Sequence, residues 1–168
     1  MPNLYILTGP AGVGKSTISK KLAEECKKSA LIEGDEIYKQ VISSYVSAWK
    51  EGNHLDVFWD VCLNTIETYL SYDYDVIFNY IVTPGTVEKI KNRFKNFNIK
   101  FVVLICDEDT ILKRDKLRPE DCQMNERCLI LLNSFKNKNY NANNILDTTN
   151  LSIEEAINVI NKENRFIL

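Results

Sequence analysis

The stretch Gly9-Pro10-Ala11-Gly12-Val13-Gly14-Lys15-Ser16 constrains this chain more than any other. It fits G-x-x-x-x-G-K-[ST], the phosphate-binding P-loop, a pattern that is specific only between a strand and a helix. Both flanks are present. Asn3 to Thr8 is an apolar run of strand length, and from Lys15 onward Ile18, Leu22, Ala23 and Cys26 recur at helical spacing. Glycines at 9, 12 and 14 let the backbone turn tightly and bring N–H groups to an anion. The new helix adds its unpaired N–H donors and the positive end of its dipole. Gly9 and Ala11 through Thr17 are therefore the expected nucleotide-phosphate cradle. Within it, Lys15 serves the β- and γ-phosphates, Ser16 ligates Mg²⁺ and Thr17 helps open the helix. The plain alternative is a glycine-rich turn with no ligand, and flanks, spacing and Lys-Ser all speak against it.

The rest of the pattern alternates strand and helix. Strands are expected at Ala30–Glu33, Asp75–Val82, Ile99–Cys106 and, weakly, Asn144–Asp147. Helical spacing follows each. Ile37, Val41, Ile42, Tyr45, Val46 and Trp49 suggest one helix, broken by Glu51-Gly52-Asn53. Leu55 to Leu70 gives the cleanest amphipathic helix, and Thr83-Pro84 offers a cap and a first-turn proline. Further helices are expected near Thr110–Leu117, from Met124 to Phe135, and from Ser152, where Ser-x-x-Glu reads as a capping box. Alternation of this kind predicts an α/β three-layer sandwich, a five-stranded parallel sheet with helices on both faces. Ligands then bind at the carboxyl ends of the strands, where the P-loop already lies.

At 168 residues the chain suits a single domain, and a formal net charge of −2 gives no general reason to expect nucleic acid as a partner. No signal peptide and no membrane span are read, and five cysteines without a C-x-x-C pair are taken as reduced thiols of a cytoplasmic protein. One histidine makes a Cys/His zinc site unexpected. The Asn- and Lys-rich stretch from Asn133 to Asn144 reads as a solvated helix end and loop.

The second strand ends in Glu33-Gly34-Asp35, which places Asp35 at the same sheet edge as Lys15. A carboxylate there can take the proton of an acceptor hydroxyl or hold Mg²⁺ through water, and Glu33 can share the metal work. Asp35 can equally cap the helix that follows. P-loop, helix, strand and Glu-Gly-Asp in this order resemble the small P-loop kinases of the gluconate kinase, shikimate kinase, adenylylsulfate kinase, chloramphenicol phosphotransferase and adenylate kinase-like group. The resemblance covers nearly the whole chain in layout. It implies one kinase domain over 1–168, with an acceptor lobe at about 34–74 and a lid at about 114–127. It makes ATP and Mg²⁺ the cofactors, Asp35 the base, and Lys15 with the lid's Arg118 the stabilisers of the moving phosphoryl. It implies that Arg114 stacks on adenine and that the Asp147-Thr148-Thr149-Asn150 loop flanks the base. A lid guanidinium suits such roles because it is planar, always charged and binds phosphate bidentately. Arg127 is a weaker candidate. The alternatives are surface arginines paired with Asp115, Glu120 and Asp121, and a polar turn before the last helix.

The third strand departs from many P-loop enzymes. It runs Val76-Ile77-Phe78-Asn79-Tyr80, with no acid where a Walker B aspartate would stand; Asp75 opens the strand at the far edge. Asn79 can orient a water or an acceptor but is not a strong base. The metal duty then falls on Ser16, Asp35 and, in part, Glu33. Between Ala30 and Asp75 there is no arginine, and the first in the chain is Arg93. A carboxylate or phosphate acceptor needs such a countercharge. A neutral or cationic hydroxyl compound is expected instead: a nucleoside, a sugar-like molecule or an antibiotic. Lys39 and Lys50 weaken that argument without removing it. The lobe's aromatics read partly as core, and His54 as a surface residue at a helix start rather than a substrate contact. Two rival readings are a polynucleotide 5′-hydroxyl kinase, which should show a basic groove, and a non-catalytic nucleotide-binding switch. ATP against GTP and the oligomeric state are not readable from the sequence.

Overall fold

A computed structural model describes residues 1–48, 50 and 52–168; Trp49 and Glu51 lie outside the described residues. Five parallel strands form one sheet in the order β2-β3-β1-β4-β5. They are β1 (Asn3–Thr8), β2 (Ser29–Glu33), β3 (Asp75–Asn79), β4 (Asn98–Ile105) and β5 (Ile145–Asp147). The intervening helices are α1 (Lys15–Glu25), α2 (Gly34–Tyr38), α3 (His54–Ser71), α4 (Pro84–Arg93), α5 (Glu108–Lys116), α6 (Arg127–Lys136) and α7 (Ile153–Lys162). Side chains alternate across the sheet. Leu4 and Ile6 face the layer that holds Phe58, Cys62 and Ile66 of α3 with Val87 and Ile90 of α4. Tyr5 and Leu7 face Ile18 and Leu22 of α1, Ile111 of α5 and Ile157 and Ile160 of α7. Strands buried on both faces must be apolar throughout, which is why β3 and β4 carry nearly unbroken apolar runs.

The helix ends follow the local chemistry. Thr83 caps α4 by accepting from Thr86 N–H at 3.4 Å. In α7 the Ser152 hydroxyl accepts from Glu155 N–H at 3.1 Å while Glu155 accepts from Ser152 N–H at 2.8 Å, a full capping box. Lys100, buried within β4, donates to the carbonyls of Ile160 and Asn161 at 2.8 and 2.6 Å and so closes the end of α7.

Two expectations are corrected. The helix expected from Ile37 to Trp49 stops at Tyr38. Beyond it the chain is irregular, and Val41, Ile42 and Tyr45 are exposed by 48%, 86% and 54%. Helical spacing suggests a buried face, but these three side chains lie open to solvent, so no packing of that face supports a helix here. The Trp49 end of the pattern and the Glu51 break fall outside the described residues. The third strand is also shorter than expected. β3 ends at Asn79, and Val82 leaves the ladder because its N–H donates to the buried Thr8 hydroxyl at 2.9 Å. β3 also lies between β1 and β2, so the Glu33 edge reaches the P-loop strand only through β3.

The exposure contrast gives a test. Ile42→Ser should leave stability within about 0.5 kcal/mol, the range of ordinary surface changes. Ile66→Ala, at a fully buried position, should cost roughly 2–5 kcal/mol. Urea unfolding of both variants reads the difference, and a large loss from Ile42→Ser would restore the helical reading of that segment.

Candidate active site

The loop between β1 and α1 sits at the carboxyl end of the sheet's central strand. Gly14 stands at the cap of α1 with φ +102° and ψ 14°, left-handed geometry that favours glycine. No acid occupies the first turn of α1, so its N–H groups and dipole are left for an external anion. Ser16 and Thr17 are exposed there. Lys15 curls back, its ammonium donating to the carbonyls of Gly9 and Pro10 at 2.9 and 3.0 Å. Burial pushes its pKa down to about 8; Asp35 opposes that shift and Arg118 adds to it.

A cleft of about 500 Å³ opens over this loop. Ala11 through Ile18, Asp35, Asn79, Arg114, Arg118 and Thr148 line it. It thus brings together most of the residues singled out from the sequence. Gly9 is represented by its carbonyl on Lys15, and Arg127, which opens α6, does not line the cleft.

Asp35 reaches the cleft from the first turn of α2. Gly34 before it has no alternative, since a Cβ would come within 2.4 Å of the Tyr80 ring. Glu33 pairs in register with Asn79 across β2 and β3, and Leu7 pairs with Asn79 across β1 and β3. The Asn79 amide donates to Ser16 Oγ at 3.1 Å and to Glu33 Oε1 at 3.3 Å. Its Oδ1 is buried and has no partner among the described residues. Asn79 therefore joins the P-loop serine to the carboxylate two strands away, a link the sequence did not disclose.

On the opposite wall Arg114 is fixed. It donates to Val13 O at 2.9 Å and to Thr148 Oγ1 and O at 2.9 and 2.8 Å. Arg118 pairs with Asp115 at 3.2 Å while keeping 37% of its side chain exposed. Sequence reasoning treated Asp115 as a surface partner. It is buried, and it accepts from Met124 and Asn125 N–H at 2.9 and 2.7 Å. Burial pushes its pKa up, but these N–H groups and Arg118 outweigh that and hold it below the usual range. The signal was a lone acid between Arg114 and Lys116, too common a pattern to single out. His54, expected at the surface, is half-buried. Its ring meets Tyr38 edge-on at 6.4 Å, and its Nε2 has no partner among the described residues.

Oxygen donors in and beside the cleft are of the kind that suits a hard cation. Ser16 Oγ, the carboxylates of Glu33 and Asp35, and the unpartnered Asn79 Oδ1 make the residues compatible with Mg²⁺. Among the described residues no group of three or more His, Cys, Asp or Glu could hold a metal ion. No helix among the described residues is long and apolar enough to cross a membrane.

Residues 6–131 match a family described as an AAA domain. No curated protein sequence matches the chain. Solved structures share its fold. The tunicamycin resistance protein of Deinococcus radiodurans aligns over 95% of this chain and 94% of its own, at TM-score 0.69 and 16% identity. A gluconokinase from Sinorhizobium meliloti aligns over 96% and 93%, at TM-score 0.66 and 17% identity. A chain of the Pnkp1/Rnl/Hen1 RNA repair complex aligns over 80% of this chain and 45% of its own, at TM-score 0.62 and 19% identity.

Phosphate affinity should track the Lys15 proton. Binding of Mg·ATP is expected to weaken as pH rises through about 8, where the unliganded lysine loses its charge and binding must take up a proton. Lys15→Arg should bind more weakly but without that alkaline fall, because a guanidinium stays charged. Titration calorimetry from neutral to alkaline pH reads both, and a wild-type affinity indifferent to pH would remove Lys15 from the phosphate site.

Proposed function

We propose, from the premise that the chain belongs to the AAA-domain family matched by its residues 6–131, that it is an ATP-dependent phosphotransferase. It moves the γ-phosphoryl of Mg·ATP to a hydroxyl of a small neutral or cationic molecule. The observation that carries this reading is Asp35 facing the P-loop across one cleft, with the Lys15 ammonium between the Asp35 carboxylate and the Arg118 guanidinium in electrostatic terms. Phosphoryl transfer asks mainly for positioning and for charge opposite the moving group. The N-terminus of α1 and Lys15 hold the β- and γ-phosphates once Lys15 leaves the Gly9 and Pro10 carbonyls. Arg114, clamped between Val13 and Thr148, offers a flat face for adenine. Arg118 exchanges Asp115 for phosphate oxygen, and Asp115 stays partnered by two backbone N–H groups when it does. Asp35 accepts the acceptor's proton. Ser16, Asp35 through water and, in part, Glu33 would hold Mg²⁺, with Asn79 keeping Ser16 and Glu33 in register; the ion would supply charge neutralisation at the phosphates.

The acceptor side supports a ligand without acid groups. No arginine lies between Ala30 and Asp75, and Lys39 is paired with Glu36 at 2.6 Å. The likeness to a chain of an RNA repair complex keeps a 5′-hydroxyl oligonucleotide as a second reading. The acidic lobe disfavours its phosphates.

The test is ADP release with Mg·ATP across nucleosides, sugars, amino-sugar antibiotics, acidic metabolites and a 5′-hydroxyl oligonucleotide. A neutral or cationic alcohol should stimulate release, and Asp35→Asn should lower turnover by roughly 10²–10⁴-fold, the usual worth of a general base, with nucleotide binding retained. Stimulation by acidic metabolites would overturn the acceptor class and keep the reaction. Nucleotide binding with no stimulation by any acceptor would favour a non-catalytic switch.

A further inference from the structure

The wall beside Asp35 is built of rings. Tyr80 follows β3 directly and lies flush against Gly34, the residue before Asp35. From Tyr80 a row of aromatic contacts runs outward. Phe58 stands 4.6 Å from Tyr80, Tyr38 5.4 Å from Phe58, and Tyr45 5.6 Å from Tyr38. Trp59 flanks the inner end at 5.8 Å from Tyr80. The inner rings pack the core, and Phe58 is almost fully buried. The outer end is open: Tyr45 is 54% exposed. Tyr38 is committed by its hydroxyl to the Val46 carbonyl, which pins the irregular segment carrying Tyr45 against the row. Burial pushes the Tyr80 hydroxyl's pKa up, and Asp35, Tyr38 and Tyr45 add to that shift.

The charges around that wall are one-sided. From Ala30 to Asp75 there are nine Asp or Glu residues against two lysines, and Lys39 is already paired with Glu36. An anionic ligand finds little countercharge here beyond Lys50, whereas a π-face or a weak cation is well received. Two aliphatic side chains of the same segment, Val41 and Ile42, are also exposed by 48% and 86%.

We propose that the acceptor carries, besides the hydroxyl that is phosphorylated, a flat unsaturated ring and no acidic group, with the ring lying against Tyr45 at the open end of the row. Nucleosides and aryl alcohols share this chemistry; gluconate-like and shikimate-like acids do not. The inference rests on the phosphotransferase reading for the fate of the hydroxyl, but the ring contact can be measured without turnover.

With the nucleotide site filled by Mg²⁺ and a non-hydrolysable ATP analogue, calorimetry compares uridine with ribose and phenylpropanediol with propanediol. The ring-bearing member of at least one pair should bind about tenfold more tightly or better, the scale of one good stacking contact. Uridine alone binding points to a nucleoside acceptor, and phenylpropanediol alone to an aryl alcohol. Tyr45→Ala should erase most of that difference, Tyr45→Phe should keep it, and both should leave affinity for the ATP analogue unchanged. Equal binding within both pairs, no binding by any probe, or indifference to Tyr45→Ala would overturn the assignment. Ring-dependent binding without ADP release from any ring compound would instead overturn the phosphotransferase reading and leave the ring site standing.

Discussion

The backbone ladder that seats β3 between β1 and β2 is the constraint on which the cleft depends. Asn79 is paired to Leu7 on one side and to Glu33 on the other, and its amide then reaches both Ser16 and Glu33. A slip of one residue would turn every side chain of β3 to the opposite face. Phe78, fully buried against α3 and α4, would trade places with Asn79. The apolar packing on both faces therefore fixes a polar hydrogen bond at the strand's end. The placement of Asp35 follows from the same ladder, because Tyr80 occupies the space that leaves only glycine at position 34.

Charge is divided across the cleft. Lys15, Arg114 and Arg118 gather around the P-loop, while Asp35 enters the cleft from α2 and Glu33 is joined to it through Asn79. The lobe extends the acidic side outward and the rings line it. A polyanionic triphosphate would thus be drawn to one wall and kept from the other. In the proposed reaction that separation would set the direction in which the transferring group travels and would lower the chance that nucleotide occupies the acceptor's place.

Much of this was legible in the sequence. The P-loop gave its own position through glycine spacing and Lys-Ser, and the alternating apolar runs gave the parallel sheet. Glu33-Gly34-Asp35 pointed to the right edge. What was not legible depended on distance across strands. Asn79 was seen as a missing acid, because its bonds to Ser16 and Glu33 link positions 63 and 46 residues apart. Asp115 was hidden for the same reason, since its partners at 124 and 125 come near only through the turn after α5. The segment after Tyr38 misled in the other direction. Its period of apolar residues imitates a core helix, but periodicity records spacing and says nothing of whether a surface waits to be covered.

The buried carboxylate of Asp115 gathers Arg118 and the N–H groups of Met124 and Asn125 around one point. The stretch between them is in effect a closed ring of chain rather than a free strap. Its loop-closure entropy has already been lost before any nucleotide arrives. Were Arg118 to turn toward phosphate in the proposed role, little would be ordered that was not ordered already, and the association would keep more of its contact energy as affinity.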